Sequence, residues 1–210
     1  MMSFILLLVF LAFGALVWFH GLWGAAITLV NLIVAMLFAT NLFEPICNLI
    51  EVFESSFTYL LDFVVLWFLF FFSYGILRLI TDLLSRTRVK FDLPVEMAGR
   101  SVLAIWCGWL MVCFTAFTLQ TAPLNSESPL GAWKSPQAGS FLGMAPGRMW
   151  LGFAHSRSRG ALARGNYSGN THPDDVDLNV EAFDPHGEFP IKYHDRRVKY
   201  AAEGAMRVAQ

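Results

Sequence analysis

The chain has 210 residues, of which 56% are hydrophobic and only 15% charged, and its mean hydropathy is +0.51. Soluble domains carry about a quarter charged residues, so this composition argues against an ordinary water-soluble enzyme. A formal charge of −1 gives no electrostatic reason for a nucleic-acid partner. The charge is unevenly placed: residues 1–122 hold 5 Lys/Arg and 7 Asp/Glu, and residues 123–210 hold 10 and 9. The pattern predicts a membrane domain over 1–122, a Pro/Ser/Gly-rich linker over 123–148, and a polar, partly disordered tail over 149–210.

Four apolar runs define the membrane domain. The first, 3–19, has no basic residue before it; Arg78 is the first in the chain. A secretory signal carries a positive n-region, so 3–19 is expected to be a retained span. His20-Gly21 is a tight turn, and a second span, 22–43, is expected to close at Glu44-Pro45, because proline disfavours helix at the residue before it. The stretch 44–58 holds Glu44, Glu51 and Glu54 and no base. The third span, 59–80, contains Leu66-Trp67-Phe68-Leu69-Phe70-Phe71-Phe72, and the fourth, 97–119, stops before Ala122-Pro123. Each run approaches the ~20 residues needed to cross a hydrocarbon core of about 30 Å. The expected fold is an all-α membrane protein with four transmembrane helices, followed by a mostly irregular polar tail with a short amphipathic helix.

Orientation follows from the Lys/Arg bias of short loops. Arg86, Arg88 and Lys90, flanked by Arg78 and Arg100, act as topology anchors and place the third loop in the cytoplasm. The acidic second loop, with Cys47, and both termini are then expected on the outer side.

Polar and small residues within the spans read as helix-packing devices. Asn31, near the middle of the second span, is expected to bond to a neighbouring helix, since an amide in hydrocarbon needs a partner. Ala35 with Ala39, and Ala104 with Gly108, are small residues at four-residue spacing that let backbones approach closely, within the chain or between copies. Asp62 and Arg78, 16 residues apart or about 24 Å along a helix, cannot pair with each other. Arg78 stands four residues before Asp82, as Glu96 does before Arg100, a spacing that suits anchoring pairs. No carboxylate lies at mid-span, which argues against an ion-coupled transporter built from one copy. Trp18 and Trp23 suit a membrane-interface belt, whereas Trp106 and Trp109 fall at mid-span.

Beyond Pro123, Pro146 is placed to open a helix carrying Met149, Trp150, Phe153 and Ala154. That helix either lies on lipid headgroups or docks on the protein's own surface. Asp175-Val176-Asp177-Leu178-Asn179 opens like a calcium loop but has Val180 at its sixth position and His186 at its twelfth. His155, His172, His186 and His194 lack the close pairing of a zinc site. Asp184-Pro185-His186-Gly187 is a turn signal, and the last stretch, with Arg196, Arg197, Lys199 and Arg207, reads as solvated. The three cysteines read as small packing residues. No catalytic residue, metal ligand or cofactor is predicted, because no nucleophile with a base, phosphate-cradling loop or ligand cluster is present.

A short first span, a Gly-containing turn, an Ala- and Leu-rich second span, an aromatic third span, a basic loop and a fourth span opened by Glu96-Met97-Ala98-Gly99-Arg100 together resemble the colicin V production protein (CvpA) family over residues 3–122. The family usually has Arg-Gly at the first turn and glycines every fourth residue in the last span. Here the turn is His20-Gly21, and Gly99 and Gly108 stand with Leu103 and Cys107 at the intervening places. The resemblance implies a bacterial inner-membrane, multi-pass, non-catalytic accessory protein of toxin (bacteriocin) production or export and of envelope homeostasis. Its partners would be the lipid bilayer and either further copies of itself or an envelope or export protein. The alternative from another class is a small transporter or channel subunit that works as an oligomer.

Overall fold

The computed structural model describes residues 2–51, 58–85, 91–122, 141–158, 183–184 and 188–208. They form six helices: α1 (Met2–Trp18), α2 (Gly21–Glu51), α3 (Thr58–Leu84), α4 (Leu93–Thr121), α5 (Pro146–Ser158) and α6 (Phe189–Val208). Among the described residues there is no strand, only an isolated bridge between Phe141 and Met144. Arg86, Arg88 and Lys90 lie outside the described residues, as do Glu54, the linker over 123–140, the calcium-like run at 175–180, and His172 and His186.

Stretches of α2, α3 and α4 are long and apolar enough to cross a membrane. α1 is equally apolar but has 17 residues, about 25 Å of helix. It lies antiparallel along α4, with Met2 and Leu6 packed near Val112 and Ala116 and Trp18 reaching Ser101. α2 is antiparallel to α3, as the pairs Trp23 with Ser85 and Asn31 with Thr81 show, and begins beside α4, where Leu22 meets Gly99. From Arg100 to Gln120 on α4 is 20 residues, about 30 Å and equal to a hydrocarbon core. Phe4, Leu8 and Leu11 on α1, Phe68, Phe72 and Leu79 on α3, and Val102, Ile105 and Trp106 on α4 point outward along that length.

The small residues sit where helices approach most closely. Ala35, Ala39 and Ala104 are buried. A Cβ added at Gly108 would come 2.9 Å from the Phe10 carbonyl oxygen of α1, and one at Gly99 would meet the Leu22 side chain at 2.6 Å. A Cβ added at Gly14, on α1, would stand 3.4 Å from the Ala104 carbonyl oxygen across the same seam.

Two expectations need correction. α2 does not close at Glu44-Pro45 but continues through Pro45 to Glu51. Pro45 removes one backbone bond, yet Ile46, Cys47 and Ile50 keep the same side of the helix packed on the core, and that burial carries the helix onward. Cys47 is consequently a buried thiol, not an accessible loop residue. Asn31 stands ten residues into the 31-residue α2 and three from the centre of its apolar span Gly21–Cys47. Among the described residues of the tail, α5 has 13 residues and α6 has 20, the second helix reaching Val208.

Both tail helices are seated on the bundle. A Cβ at Gly147 would lie 2.9 Å from Gln120 Nε2 and 3.4 Å from the Ala116 backbone, so α5 meets α4 at close range. Trp150, Leu151 and Ala154 are buried against the core. On α6, Phe189, Tyr193 and Arg197 recur at four-residue spacing and are all buried. Asp184 Oδ1 accepts hydrogen bonds from the backbone N–H groups of Glu188 (2.7 Å) and Phe189 (3.1 Å), donors that the start of α6 leaves open.

Candidate functional site

Polar side chains gather at the two ends of the bundle, with an apolar interior between them. At the Arg100 end, Trp23 Nε1 donates to Ser85 Oγ at 2.8 Å and Trp18 Nε1 to Ser101 Oγ at 3.3 Å. Arg100 lays its guanidinium 3.9 Å from the centroid of the Trp18 ring, a cation–π contact. Glu96 lies against the turn, its Oε1 3.1 Å from where a Cβ on Gly21 would stand; Gly21 has φ +73°, which only glycine adopts without strain.

One to two turns further in, Arg78 Nε donates to Asp82 Oδ2 at 3.1 Å and Arg78 Nη1 to Thr28 Oγ1 at 3.2 Å. Thr81 Oγ1 accepts the Asn31 amide at 2.9 Å and donates to the Arg78 carbonyl at 3.1 Å. The structure thus brings Asn31 and Arg78 into one ladder joining α2 to α3. The bonds of this ladder all run within or between those two helices.

At the Gln120 end the partners come from the tail. Asp62 opens the membrane segment of α3 and is 4% exposed. Its Oδ2 accepts the Tyr193 hydroxyl at 2.5 Å and also the Arg196 guanidinium. Lys192 Nζ stands 3.7 Å from Glu44 Oε1, and Arg197 Nη1 donates to the Gln120 carbonyl at 2.8 Å, one of the acceptors at the open end of α4. Burial, followed by the charge of Asp62, holds the Tyr193 phenol far above its ordinary pKa, so it stays a donor; burial also lowers the pKa of Arg197. Beneath these polar contacts Phe189 stacks on Phe117 (5.0 Å) and meets Phe43 edge-on (6.3 Å). Trp150 donates to Thr40 Oγ1 at 3.0 Å and sets its ring against Phe114.

Asp62, Thr40, Trp150, Tyr193, Arg196 and Gly147 are the residues that reading the sequence for sites did not bring together. The signal available was the apolar spacing of Phe189 and Tyr193 followed by a base, within a segment whose composition is otherwise polar. Among the described residues, no group of three or more His, Cys, Asp or Glu could hold a metal ion. No family model, no curated protein and no solved structure matches the chain.

Proposed function

We propose that the chain is a four-span, non-catalytic accessory protein of a bacterial inner membrane, of the kind the resemblance to the CvpA family implies, serving toxin export or envelope maintenance. The observation that carries the reading is the filled interior. Leu32, Ala35, Met36 and Ala39 of α2, Leu66 and Phe70 of α3, and Phe114 and Phe117 of α4 are all buried and occupy the space between the two polar ends. A closed apolar core suits a scaffold that presents its outside to partners. In this reading α1 is the fourth span, shortened to the stretch of α4 it lines, and the Arg100 end faces the cytoplasm because the basic loop joins α3 to α4 there. The tail helices then cap the outer end.

Photo-crosslinkers placed at Phe68, Phe72 and Leu79 in the native membrane test the role. Crosslinks to export or envelope components, with no solute flux from reconstituted protein, are expected. A flux that disappears in Asn31→Leu would replace the accessory role with the transporter alternative. Sidedness is read separately: a reporter active only in the cytoplasm should be silent when fused after Gln210, and an active fusion reverses the orientation.

A further inference from the structure

We propose that Arg100 and Trp18 form a seat at the headgroup level of the bilayer, in which the Arg100 guanidinium binds the phosphate of a phospholipid. The inference rests on the bilayer reading given above. Basic side chains elsewhere on the bundle have met their acceptors: Arg78, Lys192 and Arg196 each stand at a carboxylate, and Arg197 donates to the Gln120 carbonyl. Arg100 is placed differently. Its Nε–H is shut off from solvent and has no hydrogen-bond partner. Glu96, four residues earlier on α4, is spaced for an ion pair with it, yet the ion pairs among the described residues do not include one. Glu96 lies against the turn at Gly21 instead.

What holds Arg100 is an aromatic face. Its guanidinium lies 3.9 Å from the centroid of the Trp18 ring, a contact that attracts the cation without using its N–H groups. Trp18 is fixed in turn: its Nε1 donates to Ser101 Oγ at 3.3 Å, Ser101 Oγ donates to the Met97 carbonyl at 2.8 Å, and Phe19 meets the ring edge-on. The cation is therefore in place before an anion arrives, which reduces the ordering lost on binding. With Nε shut off, the two Nη groups are the donors left to offer, and such a fork matches a pair of phosphate oxygens. Depth names the source of the phosphate. Arg100 and Gln120 are 20 residues apart on α4, about 30 Å and equal to a hydrocarbon core, so Arg100 stands where lipid phosphates begin. Arg86, Arg88 and Lys90 precede α4 in the sequence and add positive charge that draws anions to this end.

The test uses the full chain with isotopically labelled arginine, in vesicles of phosphatidylcholine and phosphatidylglycerol in phosphate-free buffer. Solid-state NMR reads the dephasing of guanidinium nitrogens by phosphorus. The Arg100 signals are those missing from Arg100→Lys, and the Arg78 signals those missing from Arg78→Lys. Phosphorus should dephase Arg100 and leave Arg78, which is spent on Asp82 and Thr28, unaffected. Trp18→Leu keeps the charge and removes the seat, so the dephasing of Arg100 should be lost. Dephasing that is undiminished in Trp18→Leu, or equal at Arg78, marks casual contact with headgroups and overturns the seat. Dephasing that arises only on adding inorganic phosphate, and equally in vesicles of a phosphorus-free glycolipid, assigns the seat to free phosphate and overturns the lipid. A bimane label on Leu79→Cys of α3, with brominated acyl chains as quencher, reads the bilayer separately; the three native thiols are buried. Quenching at Leu79 without dephasing at Arg100 overturns the seat and leaves the bilayer reading standing. Absence of both overturns the bilayer reading and the seat with it.

Discussion

The two ends of the bundle solve the same problem differently. Each has charged or strongly polar side chains where a helix leaves the apolar zone. At the Arg100 end the partners are local: Arg78 finds Asp82 one turn away and donates to the Thr28 hydroxyl across to α2, and Asn31, Trp18 and Trp23 donate to the hydroxyls of Thr81, Ser101 and Ser85. At the Gln120 end the carboxylate of Asp62 is met by Tyr193 and Arg196, 131 and 134 residues away in sequence. The first arrangement forms as soon as two neighbouring helices associate. The second requires α6 to return to the membrane surface, which makes the polar tail part of the membrane domain's fold at one end and irrelevant to it at the other.

Removing residues 123–210 breaks this contrast most severely. The helices of residues 1–122 should still insert, because each satisfies its own backbone. Asp62 would lose its partners, however, and breaking a buried ion pair costs about 3–5 kcal/mol. A large fall in the thermal midpoint in detergent is expected. Asp62→Asn in the truncated chain should recover part of the loss, since the uncompensated charge is gone. An unchanged midpoint on truncation would show that the tail contributes nothing to the fold. Failure of Asp62→Asn to help would place the loss in the aromatic contacts of Phe189 and Trp150 instead.

Trp150→Ala should cost about 3–5 kcal/mol by emptying a fully buried slot, and should release α5 without disturbing the Arg100 end. Hydrogen exchange can separate the two: amides of α5 and the last turns of α4 should lose protection while those around Asn31 and Thr81 keep theirs. Trp150→Phe, which removes the bond to Thr40 and part of the buried ring, should cost more than the ~1 kcal/mol of the bond alone and less than the alanine change. Equal loss of protection at both ends would mean that the ends are not independent.

Gly108→Ala addresses the seam that spans both ends. Its Cβ would stand 2.9 Å from a backbone oxygen of α1, which cannot rotate aside as a side chain could. Displacing α1 should cost about 1–3 kcal/mol. The same change at Gly75 of α3, where an added Cβ meets nothing within 4 Å, is the control and should not destabilise. A neutral result at Gly108 would show that α1 is loosely held on α4.

The helical class and the three long apolar helices were legible because hydropathy over some twenty residues is a strong signal that no local detail erases. The small-residue seam was half legible. Ala104 and Gly108 stand out on α4 by spacing, but Gly14, their counterpart on α1, sits alone in an apolar run and has no spacing to betray it. The capped end was not legible for a physical reason: α6 buries Arg197 in the same stripe as Phe189 and Tyr193, so its inward side contains a base and its composition imitates a solvated helix. The buried guanidinium is met by the Gln120 carbonyl, an acceptor on a helix 77 residues earlier. Pro45 misled in the opposite direction. Its local effect on the backbone was read correctly as unfavourable, but the apolar residues after it gain more from the core than the missing bond loses.

The smallest effect is expected from Asn31→Leu, and it tests the local end of the comparison. The Asn31 amide donates to Thr81, which itself donates back to the Arg78 carbonyl within α3. Removing the amide leaves Thr81 Oγ1 with its bond to that carbonyl and without its donor from α2. Interhelical bonds in membrane proteins average about 0.6 kcal/mol and reach about 2 kcal/mol, because an unassociated helix also finds partners. Leucine restores apolar contact, so the net loss should fall in that range, read as a slight fall of the thermal midpoint in detergent. Thr81→Val should cost a similar amount, and the double substitution no more than the larger single one, since both remove the same bond. Additive losses would mean that Asn31 and Thr81 act separately, and a loss comparable to that of Trp150→Ala would mean that the Arg100 end depends on this ladder as heavily as the other end depends on the tail.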